Sequence, residues 1–340
     1  MIVYIGNKLS KHGFTPTTVD TMGEKLKESY PLESVSDKRN KVLRFLHIIS
    51  VIIFKRKKIK LILIDTYSTT NFLYALAAGH LAYTFKIPYI PILHGGNLPH
   101  RLVNNPWLCK NLFGNSFNNV SPSTFLFKAF KDHGYKVVYI PNSIDLELYP
   151  FKRRETLKPS LLYVRSFHKI YNPEMAINVL REVSKIYPEC RLCMVGPDKD
   201  GSLERVKALA SKMNLSDKVN FTGQLTKGEW IKLSRDYDIF INTTNFDNHP
   251  VSVIEAMALG LPVVSTNVGG LPFLIDNEVD GILVPPQDPG TFSDAVIALL
   301  QSPEKALVQA DKARLKAEGF HWNKVKIQWK ETIDAALNTN

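Results

Sequence analysis

The apolar positions of this chain fall into two rhythms: short dense runs, and longer stretches in which they recur every three to four residues. Runs of the first kind predict strands buried on both faces at Ile2–Ile5, Leu61–Ile64, Tyr89–Leu93 and Val137–Ile140. The longer stretches between them predict helices at Thr17–Ser29, Lys38–Phe54, Asn71–Thr84 and Ser123–Asp132, the last stopped by Gly134. The rhythm breaks at Ile140-Pro141-Asn142-Ser143, and again at Tyr149-Pro150 and Lys152-Arg153-Arg154. It then restarts. Strands are expected at Leu161–Val164, Arg191–Val195, Val219–Phe221, Asp238–Asn242, Pro262–Ser265 and Gly281–Val284. Helices are expected at Pro173–Ile186, Ser202–Met213, Ser252–Leu259 and Thr291–Leu300. Strands alternating with helices mean parallel sheets, so the pattern predicts two doubly wound α/β domains of similar size facing a central cleft. The expected bounds are 1–148 and 149–318, with 319–340 a helix returning to the first domain.

Composition narrows the class. The chain has 340 residues, 44% hydrophobic and 22% charged, too apolar for a disordered protein. Three cysteines exclude a disulfide scaffold, and no long uncharged apolar run predicts a transmembrane helix. Met1–Gly6 reads as a strand rather than a secretory leader, so a cytoplasmic protein is expected. The net charge of +11 is unevenly spread: through Tyr149 there are 19 Lys and Arg against 9 Asp and Glu, and beyond it 24 against 23. Such asymmetry points the first half toward something anionic, solubility being the plainer explanation.

Chemistry in doubly wound sheets sits beyond the carboxyl ends of the strands, where loops feed helix N-termini. That rule singles out Gly6–Gly13, His94-Gly95-Gly96-Asn97, Arg165–Lys169, Asn245–Pro250 and Asn267-Val268-Gly269-Gly270. Within the fourth loop and its helix lie Asp247 and Glu255. By spacing alone, Ser252-Val253-Ile254-Glu255 is a capping box, which would give Glu255 a purely structural role. Asp247 has no such explanation.

The run Asp247-x7-Glu255, followed by Ala256-Met257-Ala258-Leu259-Gly260-Leu261-Pro262-Val263-Val264, resembles the Glu-x7-Glu signature of retaining glycosyltransferases of family 4, which have the GT-B fold. Asn267-Val268-Gly269-Gly270-Leu271-Pro272 is similar to that family's Gly-Gly-x-Pro-Glu turn, and Ile140-Pro141-Asn142-Ser143-Ile144-Asp145 to its Ile-Pro-Asn-Gly-Val-Asp. Four positions depart from the pattern. Asp247 is one methylene shorter than the usual Glu, Phe273 stands where the turn has Glu, Val164 replaces the Gly before Arg165, and Lys169 sits closer to it than usual.

The resemblance implies two Rossmann-like domains, the first for the acceptor and the second for a nucleotide-diphospho-sugar. Arg165 and Lys169 would hold the diphosphate, because fixed cations stabilise a leaving group whose charge grows in the transition state. Glu255 would take ribose hydroxyls, and Asp247 with the Gly269 and Gly270 amides would lie near the donor sugar. Gly13, in the glycine-rich first loop, would approach the donor. His94 would hydrogen-bond the sugar in a positioning role. UDP-sugars are the first expectation, with no metal and no cofactor. A double displacement needs a carboxylate nucleophile, and none stands out; the family's proposed route has the departing phosphate help deprotonate the acceptor hydroxyl.

Asp236-Tyr237-Asp238 and Asp198-Lys199-Asp200 match the metal-binding Asp-x-Asp of another glycosyltransferase fold. Asp238 falls at the wrong end of its strand for a ligand. Cys190 and Cys193 point to opposite faces and read as core. Two other readings stay open: a nucleotide-sugar 2-epimerase of the same fold, and a degenerate carbohydrate-binding relative. Finally, Lys38–Lys60 holds nine Lys and Arg and no acid. In it Val42, Phe45, Leu46, Ile49, Ile52 and Ile53 form an apolar stripe expected to pack on the sheet, with Lys41, Arg44, His47 and Ser50 a narrow polar line. Leu43, Ile48, Val51 and Phe54 fall outside the stripe. A deeply buried helix explains the surplus; so does a shallow contact with anionic lipid at the inner face of the plasma membrane, which would suit a glycan or lipid-linked acceptor. No nucleic-acid motif accompanies the charge.

Overall fold

The computed structural model describes residues 1–12 and 16–339. They form two compact units: Met1–Pro141 joined by the chain from Lys326 onward, and Asn142–Val325.

The first unit holds a six-stranded sheet of β1 (Ile2–Ile5), β2 (Leu32–Val35), β3 (Leu61–Thr66), β4 (Tyr89–Leu93), β5 (Asn119–Ser121) and β6 (Val137–Tyr139), in the order β2-β1-β3-β4-β5-β6. The second holds β7 (Ser160–Val164), β8 (Arg191–Val195), β9 (Val219–Gly223), β10 (Ile239–Asn242), β11 (Val263–Thr266) and β12 (Ile282–Val284), in the order β12-β11-β10-β7-β8-β9. Every pairing is parallel. Each sheet reverses its winding once, between β1 and β3 in the first and between β7 and β10 in the second. Ligands of such sheets bind outside the carboxyl ends at these switch points.

Sheets covered on both faces bury every residue of a central strand, which is why β3 reads as an unbroken run. Alternation survives in the packing: on β7, Leu161 and Tyr163 join one core and Leu162 the other. Two strands escape the apolar pattern. β2 carries Glu33 and Ser34, and β5 is Asn-Val-Ser. Asn119 is nevertheless buried, because its side-chain amide donates to the Phe113 and Lys136 carbonyls at 3.1 and 2.8 Å. The helix Pro303–Glu318 also lacked a clear stripe, since its inward residues are only Ala306, Ala310, Ala313 and Ala317. These small side chains let it lie close against the helix Val251–Ala258.

The passage between units comes earlier than 148. Ile144 pairs with His321, with Ile144 N–H to Phe320 carbonyl at 2.9 Å, and Tyr149 is buried, so both belong to the second unit. The last helix, Trp322–Leu337, groups with the first unit from Lys326 on, where the Tyr30 hydroxyl donates to Asp334 at 2.7 Å.

The helices α1 (Thr18–Lys27), α2 (Lys41–Lys55) and α3 (Asn71–Thr84) cover the first sheet. α2 is turned differently from the expected stripe. Its buried residues are Arg44, Ile48, Val51 and Ile52, whereas Val42, Leu43 and Leu46 are more than half exposed and Phe54 is 85% exposed. The expected polar line is also partly internal. Arg44 is buried, with its guanidinium donating to the Lys38 and Arg39 carbonyls and to Asn7 Oδ1, and His47 Nδ1 lies 2.8 Å from the Ser36 hydroxyl. A helix apolar on nearly every side does not encode which side faces in. The loop before it decides, because Arg44 satisfies those carbonyls only when it faces inward. Asn40 caps the first turn by accepting from Val42 N–H and Leu43 N–H.

Candidate active site

At the first sheet's switch point, the carboxylate of Asp65 near the end of β3 is fully buried. Its Oδ1 accepts from the Tyr4 hydroxyl and faces His94 Nε2, each at 2.9 Å. His94 follows β4 directly, and its N–H and that of Gly95 both donate to the Thr66 carbonyl, at 2.9 and 3.1 Å. The Tyr67 ring lies 5.5 Å from the imidazole. Burial and the Asp65 charge push the hydroxyl pKa of both Tyr4 and Tyr67 well above the ordinary tyrosine value. Gly6 has a clear task here: a Cβ on it would stand 2.6 Å from Asp65 Oδ2 and 2.8 Å from Val19 Cβ. Asp65, which the sequence reading missed, hides inside an apolar strand; an acid within a run of Leu and Ile was the available signal. Gly13 lies outside the described residues.

At the second sheet's switch point, Arg165 leaves β7 and Asp247 sits in the loop after β10, and their side chains form an ion pair. The guanidinium also lies over the Tyr171 ring, its carbon 4.3 Å from the centroid, and its buried Nε has no hydrogen-bond partner. Asp247 Oδ1 accepts from Asn248 N–H at 2.8 Å. The Gly269-Gly270 turn is built against this loop. A Cβ on Gly269 would come 2.1 Å from the Asp247 carbonyl oxygen, and one on Gly270 would come 1.7 Å from that of Asn248. The N–H of Gly270 donates to the Asp247 carbonyl at 2.9 Å. That amide is thus committed to holding the acid loop, a role different from the expected donor contact.

Glu255 does not form the capping box that spacing suggested. The helix Val251–Ala258 starts after Pro250, with no side-chain cap, and the Ser252 hydroxyl is buried without a partner. The N-cap is Pro250, so the helix starts two residues earlier than a Ser252 cap would start it. Glu255 is instead buried, accepting from the Tyr149 hydroxyl at 2.7 Å and from the Lys227 ammonium. A buried carboxylate with one partner that is half exposed is an acceptor group a ligand hydroxyl can share.

Lys169 is exposed on the turn Lys169–Tyr171; its N–H donates to Asp200 at 3.0 Å and its carbonyl accepts from Asn245 at 3.2 Å. Hydrogen bonds to the Ser202 hydroxyl and to the Lys169 amide, in that order, hold the Asp200 pKa down at about 2. Asp198 Oδ1 accepts from Gly201 N–H at 3.0 Å, so this Asp-x-Asp shapes a turn. Asp238 accepts from Arg154 and Lys152 at the opposite end of the sheet from Arg165. Cys190 and Cys193 are buried, one in each core of the second unit. Among the described residues, no group of three or more His, Cys, Asp or Glu side chains is arranged to hold a metal ion.

Residues 147–316, half of the chain, match the family model described as glycosyl transferases group 1. The chain belongs to that family. The match takes in Arg165, Asp247, Glu255 and the Gly269-Gly270 turn; Asp65 and His94 lie outside it. Among curated proteins, this group 1 chain is 25% identical to the D-inositol 3-phosphate glycosyltransferase of Segniliparus rotundus over 257 residues, 72% of the chain and 57% of that protein. It is 29% identical to an uncharacterized glycosyltransferase of Haemophilus influenzae over 155 residues, 45% of the chain and 43% of that protein. The chain thus aligns with roughly half the length of these relatives. Among solved structures, sucrose-phosphate synthase from Thermosynechococcus elongatus superposes with a TM-score of 0.83 at 17% identity, covering 100% of this chain and 99% of that one. Anabaena HepE in complex with UDP-glucose superposes with a TM-score of 0.77 at 17% identity, covering 98% and 99%. The fold of this group 1 chain is therefore GT-B, two α/β domains.

Proposed function

We propose that this protein is a retaining glycosyltransferase that moves a sugar from a UDP-sugar to a glycan or lipid-linked acceptor in glycoconjugate or surface polysaccharide synthesis. The observation that carries the reading is the pairing of Arg165 with Asp247 at the switch point of the second sheet, with buried Glu255 on the helix that follows the Asp247 loop. Breaking a glycosidic bond to a nucleoside diphosphate builds negative charge on the leaving phosphate. A guanidinium held in advance by Asp247 and Tyr171, with an unpartnered Nε, stabilises that charge without reorganising. Lys169, exposed on the turn Lys169–Tyr171, adds a second point charge. Glu255 accepts from the ribose hydroxyls with a carboxylate that also accepts from Tyr149 and Lys227.

Asp247 is neutralised by Arg165, so it serves as an anchor for the cation and is poorly suited to nucleophilic attack. Retention then follows from the leaving phosphate taking the acceptor proton on the face it departs from, with no metal required. The choice of UDP is supported by the HepE complexes with UDP and UDP-glucose. Incubation with UDP-glucose and UDP-N-acetylglucosamine, reading UDP release and the anomer formed, tests the proposal. Release of UDP with an α-linked product is expected; an inverted product, or turnover of donor to an epimer, refutes it.

A location at an anionic membrane surface, on the cytoplasmic side, is supported by the outward face of α2. Val42, Leu43, Leu46 and Phe54 are exposed there, and the flanking Lys38, Arg39, Lys41, Lys57 and Lys58 are exposed as well. Apolar side chains ringed by cations suit insertion among anionic headgroups, worth about 1 kcal/mol per basic residue near the surface. Among the described residues no helix is long and apolar enough to cross a membrane.

A further inference from the structure

We propose that Asp65 is a positioning residue: it holds the imidazole of His94 with Nε2–H directed inward, leaving Nδ1 as a hydrogen-bond acceptor that reads a sugar hydroxyl. This deepens the glycosyltransferase reading and rests on it for the identity of the hydroxyl, though not for the state of the ring.

A carboxylate with no exposed surface in the middle of a parallel sheet is costly to bury. Among the described residues its donors converge on one oxygen, Oδ1, from the Tyr4 hydroxyl on β1 and from His94 after β4. Asp65 lies on β3, between them, with Asp65 in register with Ile92 on β4. An ionised carboxylate only accepts hydrogen bonds, so the ring nitrogen facing it carries the proton. In the neutral imidazole the lone pair then falls on Nδ1, which makes no hydrogen bond among the described residues. The ring cannot easily turn over. The His94 and Gly95 amides are both tied to Thr66, Tyr67 flanks the imidazole, and Gly6 leaves the space that keeps Asp65 in its rotamer.

The polarity has a consequence. A nitrogen lone pair accepts from a hydroxyl and repels a phosphate oxygen, so this histidine selects a sugar hydroxyl over a phosphate. Asp65 never touches the ligand. It acts through His94, as the buried partner of a functional histidine sets its tautomer elsewhere.

The test uses the full chain with ¹⁵N-labelled histidine, read by long-range ¹H–¹⁵N spectra at pH 8, with the His94 signals assigned by their loss in His94→Gln. His94 is expected wholly in the Nε2–H form. Asp65→Leu, which keeps the shape and removes every acceptor, is expected to bring at least a tenth of the population into the Nδ1–H form. Asp65→Asn retains one acceptor oxygen and is expected to restore the Nε2–H form; it also serves if Asp65→Leu does not fold. Tyr4→Phe is expected to leave the tautomer unchanged. An Nδ1–H ring in the unaltered protein, or a tautomer indifferent to both Asp65 variants, overturns the proposal. UDP release from UDP-glucose is measured in parallel. A loss of ~10-fold or more in kcat/KM for Asp65→Leu, recovered largely by Asp65→Asn, is expected. Absence of UDP release from the unaltered protein counts against the glycosyltransferase reading, while the tautomer still decides the role of Asp65.

Discussion

The Arg165 guanidinium and the Asp247 carboxylate are ion-paired across two loops that leave adjacent parallel strands, β7 and β10. Neither residue is close to the other in sequence. The pair exists because the winding of the sheet reverses between those strands, which opens space above their ends and brings the two loops side by side.

Removing that cation should damage catalysis far more than folding. Arg165→Ala is expected to lower kcat by at least ~100-fold, the usual scale for deleting one transition-state electrostatic contact. Steady-state UDP release, with circular dichroism to verify folding, checks it; near-normal turnover in a folded variant refutes the assignment.

Glu255 and Ser252 separate the binding and capping roles. Ser252→Ala should change stability by less than about 0.5 kcal/mol, because the hydroxyl caps nothing. Glu255→Gln should keep the Tyr149 hydrogen bond and the fold while weakening UDP binding about tenfold, consistent with loss of a charge-assisted contact. Chemical denaturation and isothermal titration calorimetry read the two effects. A stability loss near 1 kcal/mol in Ser252→Ala would restore the cap.

Chelation should leave turnover largely intact. The expected result is less than a twofold change in UDP release with excess EDTA; full loss reversed by Mg²⁺ would return metal chemistry to the site.

The outward face of α2 should bind anionic liposomes in a salt-sensitive manner. Replacing Leu46 and Phe54 with Ser, or Lys57 and Lys58 with Gln, should weaken co-sedimentation without lowering thermal stability, since all four are exposed. Lys55 and Arg56 are poor choices for this test: Lys55 is paired with Glu33 at 2.6 Å, and Arg56 lies over the Phe85 ring. Equal failure on anionic and neutral vesicles at low salt would rule the surface out.

Burial pushes the His249 imidazole pKa down from its ordinary 6.5 to about 4, and its Nδ1 has no partner. The folded protein therefore binds this proton more weakly than the unfolded chain. Its contribution to stability is full above pH 6.5 and is lost as pH falls toward 4. Between pH 7.5 and 5 the loss amounts to about 2 kcal/mol. Urea unfolding of His249→Phe beside the unaltered protein checks it: the variant should lose less stability over that interval, and identical pH slopes would count against it.

Much of this protein was legible from its residues because parallel strands buried on both faces leave unbroken apolar runs. Ile2–Ile5, Tyr89–Leu93 and Arg191–Val195 begin and end where those runs do. The same winding rule marked the loops carrying His94, Arg165 and Asp247 before any side chain was located. Tertiary structure alone decided the rest. Asn119 could stand in a strand only because Phe113 and Lys136 supply acceptors. Glu255 turned from a cap into a buried acceptor because Tyr149 and Lys227 come to it from far along the chain. Asp65 met Tyr4 and His94 because three strands, β1, β3 and β4, lie side by side in an order that sequence spacing does not carry. The face of α2 was beyond local reading for a related reason. Apolar periodicity says that a helix is buried, whereas which residues go inward depends on partners elsewhere, here the carbonyls and Asn7 oxygen that Arg44 satisfies.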